Sequence, residues 1–478
     1  AWARWRWSSL LLKRLTELSA EQSQPFLRRR GQVPERGEGG GGGGSARGGG
    51  GCGDSPWRDN HHGDSMTRPI MELDRLYRLI TTDLAAHSRE VLSDAPSRRD
   101  GGRSSEQAML HRGLWWGTLG VSLSTDSMEH LRYRYQDLSP TRAHLGVADV
   151  RRSASEAELC ERRRVEGQAL LAEPYVPELQ LFARFGVPPS LRAELWARCL
   201  GAEPRTGPYG LPRLSKSVCD WEWITDDVLR LDVAEFCAND VNYFVFDEMV
   251  ESLVLALSRD ATVPSSCDVG PPQEPILTGP TPDMFRPTNS CEKPPGGPQM
   301  MVPPCGVVPF RGFSCYACPF AFLADVLDKA FPLFRAFYCR YLSKLHTVGQ
   351  QPGTLLPLCA LFESLVFTTA PHVSYHLAQM GPDAAPLRIA FPWIVTGFAG
   401  HLKADQVLWL WDRVVGFGSV QLIAVLAAAI FAFRARLVLS AKVVEDVELI
   451  FQDLTALQAM PLLQGFLFAS DLSSGGGA

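Results

Sequence analysis

The chain has no dense cysteine framework, no strand alternation of any length and little excess charge, and each lack removes a class of protein. Its 12 cysteines are scattered through 478 residues. Cys315, Cys318, Cys339 and Cys359 lie in apolar helical segments, where a free thiol acts as a small hydrophobe. A disulfide scaffold is therefore excluded and a reducing compartment favoured. A net charge of −5 supplies no field for bulk binding to nucleic acid. The longest apolar run, Val420–Phe433, falls short of the ~20 residues a membrane-spanning helix requires, so no transmembrane segment is expected. The glycines at 39–44 lack the lysine and the serine or threonine of a phosphate-binding loop, so the chain is not expected to bind nucleotide itself. Cys315 and Cys318 form one CxxC with no second pair to complete a zinc site. His372 and His376 stand four apart, but Val373 follows the first where a zinc protease carries glutamate. They read as surface or capping histidines.

What is present is helical periodicity, and it is concentrated in the C-terminal two thirds. Phe391, Ile394, Val395 and Phe398 recur at i, i+3, i+4 and i+7, as do Val407, Leu410, Trp411 and Val414. Pro392 suits a first-turn position, Asp405 a helix start, and Gly416 with Gly418 a stop. Val420–Phe433 is apolar on every side and should be buried all round. Upstream, Pro188 and Pro189 stiffen the entry to a helix that Ser190 can cap. Order begins near Leu170, and residues 170–472 read as one all-α domain. Residues 261–304, rich in Pro, Gly, Ser and Thr, read as a long exposed insertion. Residues 1–65 are Gly- and Arg-rich, precede the first methionine, Met66, and read as a disordered leader. Residues 66–169 are poorly defined, with one helix candidate in Met66–Leu92 and a charged, solvated face at Glu156–Arg164.

Several blocks resemble TBC domains, the helical GTPase-activating modules for Rab small GTPases. GVPPSLRAELW (186–196) is similar to their opening motif G-[IV]-P-x-x-x-R-x-x-x-W, through Arg192 and Trp196. Trp393, Phe398, Leu410, Trp411 and Asp412 resemble the later W…F…L-W-D block. The resemblance covers roughly 180–470 and implies an all-α, two-lobed helical domain. Arg192 and Trp196, at i and i+4, share one helical face. Either that face meets a GTPase, or Trp196 packs the core while Arg192 pairs with a carboxylate, the reading we favour.

The resemblance also implies a mechanism. A GTPase-activating protein inserts an arginine against the charge that builds on the phosphoryl oxygens, worth about 10³–10⁵ in rate. TBC domains supply the arginine from I-x-x-D-x-x-R and a water-orienting glutamine from Y-x-Q. ITDDVLR fits the first motif through Ile224, Asp227 and Arg230, which makes Arg230 the candidate finger and Asp227 its orienter. Five residues on, LRLDVAE offers a second register through Leu229, Asp232 and Glu235, with an acid where the arginine belongs. At the glutamine block, GVVPFRGFS (306–314) places Pro309 at the tyrosine and Arg311 at the glutamine. A guanidinium has no acceptor and cannot orient water as an amide does.

The expectation is thus a GTPase activator acting on a GTP-bound Rab, weakened by Arg311. The alternative is a non-catalytic Rab-binding or scaffold protein in membrane trafficking. Either would use no cofactor of its own, since GTP and Mg belong to the partner, and would be cytoplasmic or peripheral on endomembranes.

Overall fold

The computed structural model describes residues 125–140, 142, 154–173, 175–237, 244–269, 303–307, 309–347, 349 and 351–469, with the short stretches 27–29, 277–280 and 299–301. The helix candidate in Met66–Leu92 and nearly all of the leader lie outside the described residues. The architecture is all-α. In chain order the helices are α1 (Met128–Arg134), α2 (Ala154–Ala172), α3 (Val176–Arg184), α4 (Pro189–Leu200), α5 (Leu211–Asp220), α6 (Ile224–Phe236), α7 (Asp247–Arg259) and α8 (Val263–Ser266). They continue as α9 (Cys318–Ala321), α10 (Leu327–Phe337), α11 (Ser343–His346), α12 (Leu355–Thr369), α13 (Pro371–Met380) and α14 (Pro386–Thr396). The last four are α15 (Ala404–Phe417), α16 (Gln421–Ser440), α17 (Val444–Gln452) and α18 (Ala459–Leu467).

Two short antiparallel ladders accompany them, which the pattern of the sequence did not announce. Strand β1 (Leu27–Arg29) pairs with β2 (Trp221–Trp223), and β3 (Leu277–Pro280) with β4 (Gln299–Met301). The expected long insertion is therefore partly structured: it opens with α8, carries β3 and β4, and Val263, Cys267 and Cys305 at its two ends are buried. Order also starts earlier than Leu170. Leu131 and Tyr135 are buried, and α2 is fixed by Arg163, which is not solvated. Its guanidinium donates to the carbonyls of Phe182 (2.9 Å) and Gly186 (3.1 Å) and lies over the Phe182 ring.

The helices fall into two groups. In one, α7 packs on α5, α6 and α10, and α10 on α4; in the other, α16 packs on α12, α14 and α18. Helix α15 runs between them, against α3, α4 and α9 on one side and α16 and α18 on the other. Its approach to α3 explains a glycine that spacing misread. Gly416 lies inside α15 and is no stop, because a Cβ there would sit 2.5 Å from the Arg184 amide nitrogen. Gly418, at φ 61°, ends the helix as the left-handed C-cap.

Other local expectations shift by a turn. Pro386 takes the first-turn position of α14, and Pro392 sits inside it. Ser190 lies inside α4, whose N-cap is Pro188 without a side-chain cap. Phe398 lies beyond the end of α14 at φ 67°, yet is fully buried against Trp393. Helix α16 reaches 20 residues, long and apolar enough to cross a membrane, but 61% of its most apolar window is buried inside the fold. It is the core helix of the second group. Its burial is not all-round: Phe433 is 64% exposed and Leu437 56%.

Burial sets a pH dependence. His346, within hydrogen-bond distance of the Tyr338 hydroxyl (2.9 Å), is pushed down by desolvation from 6.5 to about 3, and His401 to about 4. The unfolded chain protonates these rings near 6.5 while the fold refuses the protons. Their contribution is therefore whole above pH 6.5 and lost as pH falls toward 4 and 3. We expect the urea midpoint to drop between pH 7 and pH 5, and His346→Gln to flatten that slope. An unchanged slope in the variant would show that His346 is not the source.

Candidate functional site

Two segments carry the expected chemistry: α6 and the loop from Pro309 to Ser314 ahead of α9. Helix α6 begins at Trp223, whose amide donates to Asp226 (3.0 Å). Asp226 and Asp227 place negative charge in the first turn, where the helix dipole favours it. Asp226 is also buried against Arg259 of α7, whose Nη1 donates to Oδ1 at 2.7 Å and Nη2 to Oδ2 at 2.5 Å. This pair, invisible to sequence spacing, locks the start of α6 to α7.

Further along α6, Asp232 reaches the loop. Its buried carboxylate accepts from the amides of Gly312 and Ser314, both at 2.7 Å. Burial outweighs these donors and pushes its pKa from 3.8 up to about 6. Because the folded value is raised, its contribution is present below pH 3.8 and lost as pH rises to about 6, opposite in sign to the histidines. Gly312 stands at φ 89°, the left-handed region that glycine enters without strain, so the turn carrying Arg311 depends on it. One helical turn beyond Asp232, Glu235 accepts from Arg311 through Nε (2.9 Å) and again through Nη2. Both partners are roughly half exposed, with relative side-chain areas of 45% and 44%. The Arg311 guanidinium lies 5.8 Å from the centre of the Phe236 ring.

Arg230 is elsewhere. Five residues separate it from Glu235, about 140° around the helix axis at ~100° per residue. It donates to Glu251 of α7 (3.1 Å) and to Asp227 (3.3 Å), and Glu222 stands 3.7 Å away. Burial works against its charge, but Asp226, Glu251 and Asp227 overcome that and raise its pKa. Asp227, the neighbour named in the first register, is thus one of several carboxylates around Arg230. The residue brought together with Arg311, however, is Glu235 of the second.

Arg192 and Trp196 are buried and form no docking surface. Both hold Asp412 of α15: Arg192 donates from Nε (3.0 Å) and Nη2 (3.0 Å), Trp196 from Nε1 (2.9 Å), and the Val187 amide adds a fourth bond (3.0 Å). Trp196 stacks on Phe337, which stacks on Trp411, at centroid distances of 5.1 and 4.9 Å. The two blocks that carry the resemblance are thus one junction between α4 and α15.

Cys318 faces Cys237 (Sγ–Sγ 3.3 Å), and among the described residues no group of three His, Cys, Asp or Glu could hold a metal. His376 Nε2 lies 3.0 Å from the Ala441 carbonyl at the end of α16, a capping role.

The fold is all-α, with the 186–196 and 393–412 blocks joined at Asp412 and α6 tied to the 309–314 loop at Asp232. The model of the Rab-GTPase-TBC domain family matches residues 310–438, from just before Arg311 into the last turn of α16. The chain is 36% identical to human TBC1 domain family member 19 over 356 residues, 74% of this chain. It spans 65% of that relative's length. Among solved structures it resembles the Chlamydomonas flagellar RabGAP TBC domain, at 16% identity and a TM-score of 0.45, covering 65% of this chain and 94% of that one.

Proposed function

We propose that the chain binds a Rab small GTPase through the face formed by α6 and the 309–314 loop, and accelerates GTP hydrolysis weakly or not at all. The observation that carries this reading is the Arg311–Glu235 ion pair. A guanidinium stands where a TBC domain presents the water-orienting amide, and it offers no acceptor. A carboxylate stands beside it where phosphate charge would have to be met. The pair consumes its own charge and leaves neither catalytic group available to a nucleotide. GTP and Mg would belong to the Rab, the chain needing no cofactor of its own, and it would act in the cytoplasm or on endomembrane surfaces.

A second reading keeps activation alive through Arg230, favoured by the match of Ile224, Asp227 and Arg230 to the arginine-finger motif. It requires Arg230 to leave the carboxylates of Glu222, Asp227 and Glu251. Single-turnover hydrolysis across a Rab panel separates the two, with wild type, Arg230→Ala and Arg311→Ala compared. We expect a Rab that is captured when loaded with GTP and whose rate stays within about twofold of its intrinsic value, against the 10³ or more of a working finger. A large acceleration abolished by Arg230→Ala would overturn the proposal. Absence of capture for every Rab would remove the partner as well.

A further inference from the structure

The hairpin of α16 and α17 leaves an apolar face uncovered among the described residues. Only 441–443 join the two helices, and their far ends meet again. Phe431 stacks on Phe451 at 4.4 Å, and Arg434 donates to the carbonyls of Ile450 and Asp453. The helices are therefore antiparallel neighbours, with Phe431, Val438, Val447 and Phe451 buried on their inner sides. The outer sides differ. Phe433 and Leu437, one turn apart on α16, Val443 in the turn and Leu449 on α17 are exposed, and so is Leu439. No other stretch of this length among the described residues exposes so many large apolar side chains. A concentration of that kind marks a contact surface.

The charges around this face select what fits it. Arg436 and Lys442 are exposed, as are Glu445 and Glu448, and none of the four enters an ion pair among the described residues. Asp446 is set apart, since its carboxylate accepts from the amides of Lys442 and Val443 at the start of α17. The two free acids sit beside Val443 and Leu449, so they would repel an anionic lipid surface where the apolar groups must enter. A partner of one charge sign would leave two of the four unmatched. A second copy of the same hairpin matches them all. With a two-fold axis parallel to the hairpin, each α16 faces the α17 of the other copy at the same level. Arg436 then stands opposite Glu448 and Lys442 opposite Glu445, and symmetry repeats the contact. We propose that the chain self-associates as a two-fold dimer through this face, with Phe433, Leu437 and Leu449 at its apolar centre and the four charges on its rim. Helix α6 and the 309–314 loop belong to the other group of helices and contribute nothing to it.

Light scattering on the full chain tests this. The mass should rise from 52.7 kDa toward twice that value as concentration increases to about 100 μM, well above the micromolar Kd of a weak interface. Arg436→Glu with Lys442→Glu makes the rim wholly acidic, and Glu445→Lys with Glu448→Lys makes it wholly basic. Each variant alone should self-associate about tenfold more weakly or worse, since like charges then meet across the axis. An equimolar mixture of the two should recover dimers. Phe433→Ser with Leu437→Ser should abolish them while circular dichroism stays unchanged. A mass that stays at 52.7 kDa throughout, charge variants that associate as wild type does, or a mixture that recovers no dimer would each overturn the proposal. Wild type that remains monomeric and binds phosphatidylserine vesicles would overturn it in favour of a lipid surface.

Discussion

Asp412→Asn is expected to destabilise the fold by about 3–5 kcal/mol, the cost of breaking a buried ion pair and leaving one charge without its partner. Asp412 has no exposed side-chain surface and Arg192 has 4%. The carboxylate receives four donors, two from Arg192, one from Trp196 and one from the Val187 amide. An asparagine keeps one acceptor oxygen and turns an NH₂ toward donors, so at least one of the four becomes a clash and the guanidinium loses its counter-charge. Arg192→Lys keeps the charge but loses the fork that meets both oxygens, so a smaller loss is expected. Denaturation of wild type and both variants provides the ranking, with the denaturant slope checked for constancy. A loss below about 1 kcal/mol for Asp412→Asn would mean that the junction is held by the Trp196–Phe337–Trp411 stack and not by the carboxylate.

That junction also shows what the sequence could and could not tell. The i, i+4 spacing puts Arg192 and Trp196 on one face, and Trp411 and Asp412 announce a buried turn of helix. Periodicity, however, contains nothing that joins positions 192 and 412. Helix identity survived because the buried stripes of α14, α15 and α16 are long; the errors fall where tertiary contact decides. Gly416 looked like a terminator and is a point of close approach. Arg163, inside a run of charges, looked solvated and is buried beneath carbonyls that only the return of α3 brings to it. The site followed the same rule. Arg230 and Glu235 both satisfied a local pattern, and local pattern is all that spacing can test. The phase of α6 relative to the 309–314 loop puts Glu235, and not Arg230, against Arg311, and that phase is set by Asp226 against Arg259 at one end and by Asp232 against two loop amides at the other.

The double variant Glu235→Arg with Arg311→Gln is expected to raise single-turnover GTP hydrolysis by a captured Rab by about 10³ or more, the scale of an arginine finger. The reasoning is positional. Glu235 and Arg311 touch, one helical turn and one loop residue away from the Asp232 anchor, and neither supports the anchor itself. Exchanging them alters the presented groups while Gly312 and Ser314 remain tied to Asp232. Each single substitution should fail for its own reason. Arg311→Gln restores an acceptor for water but leaves Glu235 to repel the phosphate. Glu235→Arg sets two guanidiniums within a few ångströms of each other, a repulsion of about 4 kcal/mol at 4 Å for an effective dielectric near 20. The effects should therefore be strongly non-additive, as expected of residues in direct contact. Capture of GTP-loaded Rab by all four proteins is the control that separates binding from chemistry. If the double variant captures Rab and the rate does not move, Pro309 at the tyrosine position becomes the next departure to reverse. If it still does not move with Pro309→Tyr added, this face is not where the nucleotide sits.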